Sequence, residues 1–279
     1  MPEEYILKVQ PDTSLRNYIW QYTFVDFPFE QARQMEFTVL PSSNTRMILF
    51  LGEPSLYEEK NTWQPVDRYS LTGFVSRPHQ FTPTSTLRQA MVHFTAWGMQ
   101  PLVDFPLAEI TDQRADLNYI LNCDLENLSA DLSQAPTAPE KARILDHFFM
   151  KQLQQIRPAD ARAQPLVQYI LRTKGALRLE DLCKNLFIGE RTAQRLVHNA
   201  VGVNFKFFSR IVRLEYVRRL MEQGQASLTD VAMQAGYFDQ AHFNHDFQEA
   251  FSENPRSYLE RQQKLVWNKI EAYLETTLK

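Results

Sequence analysis

Between Leu179 and Phe251 one pattern occurs twice, and it constrains the fold more than any other feature of the chain. Leu179, Leu182, Cys183 and Leu186 fall at i, i+3, i+4 and i+7, the spacing that lines up one face of a helix. After Phe187, Ile188 and Gly189, the residues Ala193, Leu196, Val197 and Ala200 repeat that spacing. Further on, Ser227-Leu228-Thr229-Asp230 reads as a capping box, in which a serine and an acidic residue three positions later satisfy backbone N–H groups at a helix start. Leu228, Val231, Ala232 and Ala235 give the next apolar stripe. Gly236 to Asp239 gives a turn, and Phe243, Phe247, Ala250 and Phe251 give the stripe of the helix that follows. Two short helices joined by a tight glycine-containing turn form a helix-turn-helix. A single hairpin of this kind is a weak signal. Two of them, with Gln194 and Arg195 fifty residues before Asn244 and His245, are a strong one.

The faces opposite the stripes carry chemistry. Arg191, Thr192, Gln194 and Arg195 lie on the first, and Gln240, His242, Asn244 and His245 on the second. Arginine pairs with guanine edges and glutamine or asparagine with adenine edges, so these eight are candidate DNA base contacts. Such residues are more often plain solvated surface, and it is the repeated motif that favours base contact. Between the units, residues 204–221 read as one long helix with Phe207, Ile211, Leu214, Val217 and Met221 inward. It also carries Lys206, Arg210, Arg213, Arg218 and Arg219; the first three are candidate phosphate contacts. A rigid helix of this kind would set two readers on successive major-groove segments, about 34 Å apart.

The segments Gly202–Lys206, Arg210–Arg213 and Gly236–Phe243, with Phe247 and Pro255, resemble the AraC/XylS family of transcription regulators. The resemblance covers about residues 165–260. It implies a seven-helix DNA-binding domain with two reading helices. By position, Arg191, Gln194 and Arg195 look like first-unit readers, Gln240, His242, Asn244 and His245 like second-unit readers, and Lys206 like a backbone contact. The chain departs from the family at His245, where arginine is usual, at Gln248, where lysine is usual, and at Ser252, where glycine often ends the helix. The first 120 or so residues are similar to the β-barrel domain that precedes some of these regulators, through Pro41–Phe50, Leu71–Gly73 and Phe105–Ile110.

Short β-branched and aromatic runs support that likeness: Tyr18–Val25, Glu36–Leu40, Arg46–Leu51, Tyr69–Val75 and Leu87–Trp97, with prolines between them. The segment Glu140–Ile156 reads as a helix whose stripe, with Phe148 and Phe149, either covers the barrel or forms a dimer seam. The expected fold class is therefore α+β. Residues 1–158 form a β-barrel or cupin-like sensing and dimerising domain with flanking helices, and residues 159–279 an all-α DNA-binding domain ending in a helix over 264–279. Trp20, Phe24, Arg46, Phe94 and Trp97 are the candidate effector-pocket residues, although barrel aromatics are mostly plain core. His79 and His93 do not make the His-x-His pattern of a cupin metal site, and His198, His242 and His245 fit reading positions better than metal ligation, so no metal or cofactor is expected.

Charge agrees weakly with this division. Residues 1–171 carry 14 Lys+Arg against 20 Asp+Glu, and residues 172–279 carry 16 against 13. Two widely spaced cysteines and no apolar run long enough to span a bilayer point to a cytoplasmic protein. The expected partners are double-stranded DNA, RNA polymerase, a small-molecule effector and a second copy of the chain. Two other classes compete. A DNA-targeted enzyme would need an activated cysteine, but Cys123 has no nearby histidine or basic activator in sequence and Cys183 lies on a core stripe. A protein-interaction or effector-sensing module with degraded DNA binding would account for the lost charge at His245 and Gln248.

Overall fold

The computed structural model describes residues 5–33, 37–59, 62–121, 123–154, 160–223 and 227–262. The expected domain junction after residue 158 and the helix expected over 264–279 lie outside the described residues. Ten strands come first: β1 (Ile6–Val9), β2 (Ile19–Phe27), β3 (Phe37–Val39), β4 (Arg46–Phe50), β5 (Leu56–Glu59), β6 (Thr62–Pro65), β7 (Tyr69–Thr72), β8 (His79–Thr82), β9 (Leu87–Phe94) and β10 (Arg114–Asp116). A short helix α1 (Phe29–Ala32) interrupts them, and α2 (Leu117–Ile120), α3 (Leu125–Gln134) and α4 (Ala138–Leu153) follow. They form a six-stranded sheet, β1-β2-β9-β4-β7-β10, and a four-stranded sheet, β3-β8-β5-β6, with antiparallel pairings throughout.

The expected barrel is corrected to two open sheets: among the described residues only the isolated Ser42–Val75 bridge accompanies these ladders, and none closes a barrel. Proline lacks the N–H that a ladder requires. β3 stops two residues short of Pro41, β8 lies between Pro78 and Pro83, and β6 ends on Pro65, so the strands at the seam are too short to bridge it.

Alternation along β2 divides two cores. Tyr22 and Phe24 face the helices with Leu49, Val92, Phe94 and Phe149, whereas Val25 and Phe27 face the second sheet with Phe37, Phe81 and Met91. A register shift between Ile19 and Gln21 turns Trp20 onto the inter-sheet side, against the alternation. α4 begins with a full capping box, Thr137 with Glu140. Its stripe residues Leu145 and Phe149 are buried in the helix-covered core, and its Asp146 accepts hydrogen bonds from Tyr22 Oη (2.9 Å) and the Asp12 N–H (3.0 Å). The stripe therefore covers the sheet.

The remaining helices are α5 (Ala163–Arg172), α6 (Leu179–Leu186), α7 (Glu190–Val201), α8 (Phe205–Glu222), α9 (Leu228–Gln234), α10 (Gln240–Phe251) and α11 (Pro255–Gln262). Their core is shared with the sheets, because Leu40, Phe74 and Ala96 are buried within the same cluster as Phe208, Leu214 and Phe247. Glu215 of α8, 6% exposed, accepts hydrogen bonds from the Ser43 N–H (2.6 Å) and Ser43 Oγ (2.7 Å). Gly202, at φ +85°, meets the chain at Leu107, where an added Cβ would stand 2.8 Å from backbone C and O.

Candidate nucleic-acid interface

Both repeated units fold as hairpins. In the first, α6 buries Leu182 and Cys183 and ends at Phe187, which adopts the left-handed conformation (φ 53°, ψ 44°) and donates its N–H to the Cys183 carbonyl. α7 then buries Ala193, Leu196, Val197 and Ala200, leaving Arg191, Gln194, Arg195, His198 and Asn199 exposed and Thr192 half-buried. In the second, Ser227 and Asp230 make the capping box that starts α9, and Gly236 (φ 79°) turns the chain. Asp239 then caps α10 by accepting the His242 N–H at 2.7 Å. α10 buries Phe243, Phe247, Ala250 and Phe251, and Gln240, His242, Asn244, His245 and Gln248 are exposed. Ser252 closes it at φ 60°, so the position where the family favours glycine does require left-handed backbone. All eight candidate base contacts thus stand on the outer faces of two helices held in one frame by α8.

The two outer faces differ in charge. α7 presents the permanent cations Arg191 and Arg195. α10 contains no lysine or arginine and carries two interleaved histidine–carboxylate pairs. His242 Nε2 lies 3.8 Å from Asp246, and His245 Nδ1 lies 4.0 Å from Glu249. Arg210 of α8 serves both carboxylates, with Nη2 2.8 Å from Glu249 and Nε 3.5 Å from Asp246. Its hydrogen bond holds Glu249 below the usual carboxylate range. The ligand atoms of His245, Asp246 and Glu249 lie within 4.8 Å of one another, but Arg210 already supplies the positive charge there.

The candidate phosphate contacts separate. Lys206 is exposed in the first turn of α8. Arg210 is engaged with α10, and Arg213 donates to the Gly175 carbonyl (2.8 Å) and stands over the Tyr237 ring. Arg218, another of the cations carried by this helix, is fully buried and paired with Glu222 (3.2 Å). A guanidinium excluded from solvent in this way cannot reach a phosphate, and its position beside the buried Glu215 explains why a cation occupies the interior.

The candidate effector residues do not converge. Phe24 and Phe94 belong to the helix-covered core, Trp20 to the inter-sheet core against His93 (5.5 Å), and Trp97 packs on the C-terminal core. Arg46, expected at a surface or an effector, is 4% exposed and lines a cavity of about 30 Å³ between the sheets with Ile48, Phe50, Gln89 and Arg114. Arg114 escaped notice in the sequence because its three-residue strand has no alternation to mark it. A larger groove, about 1000 Å³, runs from Arg77, His79 and Arg114 to Phe251 and Ser252 at the end of α10. His93 accepts or donates at Thr23 Oγ1 (3.1 Å), and burial holds its ring in the neutral form. Burial also pushes both cysteine thiols up, away from the activated thiolate that an alkyl-transfer enzyme needs.

Two hairpins of this form, each with an exposed polar second helix, define a helix-turn-helix protein of the DNA-binding class. Residues 182–261 match a family described as a helix-turn-helix domain, of the AraC type, and residues 7–116 match one described as a domain of unknown function. Through these helices the chain is similar to regulators of the AraC type. It is 32% identical over 74 residues to the HTH-type transcriptional regulator GlxA of Rhizobium meliloti, a match spanning 26% of this chain and 23% of that protein. Among solved structures it is similar to ToxT from Vibrio cholerae (TM-score 0.48, 14% identity, 91% of this chain and 96% of that one). It is also similar to the C-terminal domain of AraT from Geobacillus stearothermophilus (TM-score 0.35, 20% identity, 39% and 91%). No described helix is long and apolar enough to cross a membrane.

Proposed function

We propose that the protein is a sequence-specific, DNA-binding transcription regulator that reads two successive major-groove segments with α7 and α10. The observation that carries this reading is the pair of exposed polar helix faces joined by the single helix α8. Arg191, Thr192, Gln194 and Arg195 read bases in the first segment, and Gln240, His242, Asn244 and His245 in the second. Lys206 holds a phosphate; Arg210 and Arg213 would reach one only by leaving their present partners. The N-terminal sheets act as the sensing and dimerising part, the polar groove between Arg77 and Ser252 offers room for a small effector, and RNA polymerase is the downstream partner. One structural feature favours a protein-partner reading beside this one: Phe187 and Phe238, in the two hairpin turns, are 95% and 96% exposed.

The test is selection of bound genomic fragments with the purified chain, followed by titration of the enriched site with wild type and Arg195→Ala. A two-segment motif and a loss of about 1–3 kcal/mol in the variant are expected. An enriched motif on which Arg195→Ala has no effect would refute the assigned reading; absence of any motif would favour the partner reading.

A further inference from the structure

The two proposed reading helices share a backbone plan but not a source of positive charge. α7 carries Arg191 and Arg195, whose charge is independent of pH, beside a single exposed histidine, His198. α10 carries His242 and His245, with side chains 54% and 76% exposed, each facing a carboxylate one helical turn on. We propose that α10 reads DNA in a proton-linked manner, with His242 and His245 taking up protons as the second segment docks. The inference rests on the proposed reading of DNA by both helices.

The charges facing the two histidines are few. On α10 itself they are Asp246 and Glu249, and Asp239 caps the helix beneath His242. From α8, Arg210 neutralises part of the two carboxylates, and Arg213 lies behind the Tyr237 ring, which meets His242 edge-on at 5.3 Å. With neutral histidines, Asp246, Glu249 and Arg210 leave this face with one net negative charge, unfavourable toward phosphate. With both histidines charged the face is net positive. Histidine is the side chain that makes this change between about pH 5 and 8. A phosphate brought against it favours the charged form, so docking and protonation reinforce each other. For each histidine whose proton affinity rises about tenfold on docking, acidification across that range strengthens binding by up to about tenfold.

The experiment uses the full chain at fixed ionic strength, the two-segment duplex found by selection, and the same duplex with its second segment scrambled. Affinities are measured at pH 6, 7 and 8, with circular dichroism at each pH. The preference for the intact duplex over the scrambled one should grow several-fold to about tenfold per histidine from pH 8 to pH 6. It should stay flat in the His242→Gln, His245→Gln double variant, and His245→Arg should raise the preference at pH 8. Both side chains are largely exposed, so these substitutions leave the core intact. A wild-type preference that is real but constant with pH overturns the proton linkage and leaves the reading of the second segment standing. An equal rise in the double glutamine variant overturns the assignment to these histidines. Scrambling without effect at any pH overturns reading by α10 itself.

Discussion

Removing the Ser43 hydroxyl should loosen the whole molecule, although the residue lies in a loop. Ser43 and Glu215 are 5% and 6% exposed, and the hydroxyl donates to the carboxylate at 2.7 Å. A hydrogen bond to a charged acceptor contributes about 1.5–3 kcal/mol when buried, and its loss leaves one carboxylate oxygen without that donor. The second donor to Glu215, the Ser43 backbone N–H at 2.6 Å, survives in Ser43→Ala. The expected cost is therefore the one bond, about 1.5–3 kcal/mol. Urea unfolding measures it: with a slope of about 3 kcal/mol/M for a chain of this size, the midpoint should fall by about 0.5–1 M.

The slope should not change. Leu40, Phe74 and Ala96 of the sheet domain are buried in the core of the C-terminal helices, so the two parts should unfold in one transition. Ser14→Ala is the control, because its hydroxyl makes a 2.7 Å bond to Asp12 in an exposed turn and should cost less than about 0.5 kcal/mol. A Ser43→Ala shift no larger than the Ser14→Ala shift would refute the argument, and so would two separate transitions in wild type.

Three further outcomes are expected. Gly202→Ala puts a Cβ 2.8 Å from the Leu107 backbone at φ +85°, which should cost about 2–4 kcal/mol in urea unfolding; a loss under about 1 kcal/mol would mean the junction yields easily. Phe187→Gly relieves left-handed backbone at a side chain 95% exposed, and should raise the thermal midpoint by an amount worth about 0.5–1 kcal/mol; a lowered midpoint contradicts it. Burial raises Glu215 above the usual carboxylate range, against the opposing pull of Ser43, Arg218 and Arg219. The folded state thus holds this proton more tightly than the unfolded one, so the increment is complete below the ordinary carboxylate range and lost as pH rises through the raised value. Glu215→Gln should flatten that part of the stability–pH curve, and an unchanged curve would remove Glu215 as its source.

Helical periodicity carried most of what the sequence could tell. Every apolar position assigned to α7 and to α10 is buried, because a helix stripe depends on neighbours three and four residues away. The capping box at Ser227 is likewise local. What escaped depends on distant partners. β5, with its Glu58 and Glu59, and the wholly exposed β6 lack the apolar alternation that marks a strand. Trp20 faces the second sheet only because of a register shift, so a pocket built from strand parity could not gather the five effector candidates. The burial of Arg218 could not be read from periodicity, because it depends on a second packed face that α8 gains from the sheets, where Ser43 meets Glu215.

That second face bears on how a signal could reach DNA. The sheets grip α8 at Glu215 and the end of α7 at Gly202, yet leave Arg191, Arg195, His242 and His245 exposed. Docking of the two domains therefore does not act by covering the proposed reading faces. Arg46, on the strand that follows the Ser43 loop, lines a cavity of about 30 Å³, room for roughly one water. An effector would have to part the sheets to enter there, whereas the groove of about 1000 Å³ ending at Ser252 is already open and reaches the last turn of α10. Occupation of that groove would bear directly on the C-terminal end of α10 and leave α7 to the Gly202 junction. A signal entering by this route would act first on α10 and leave α7 in place.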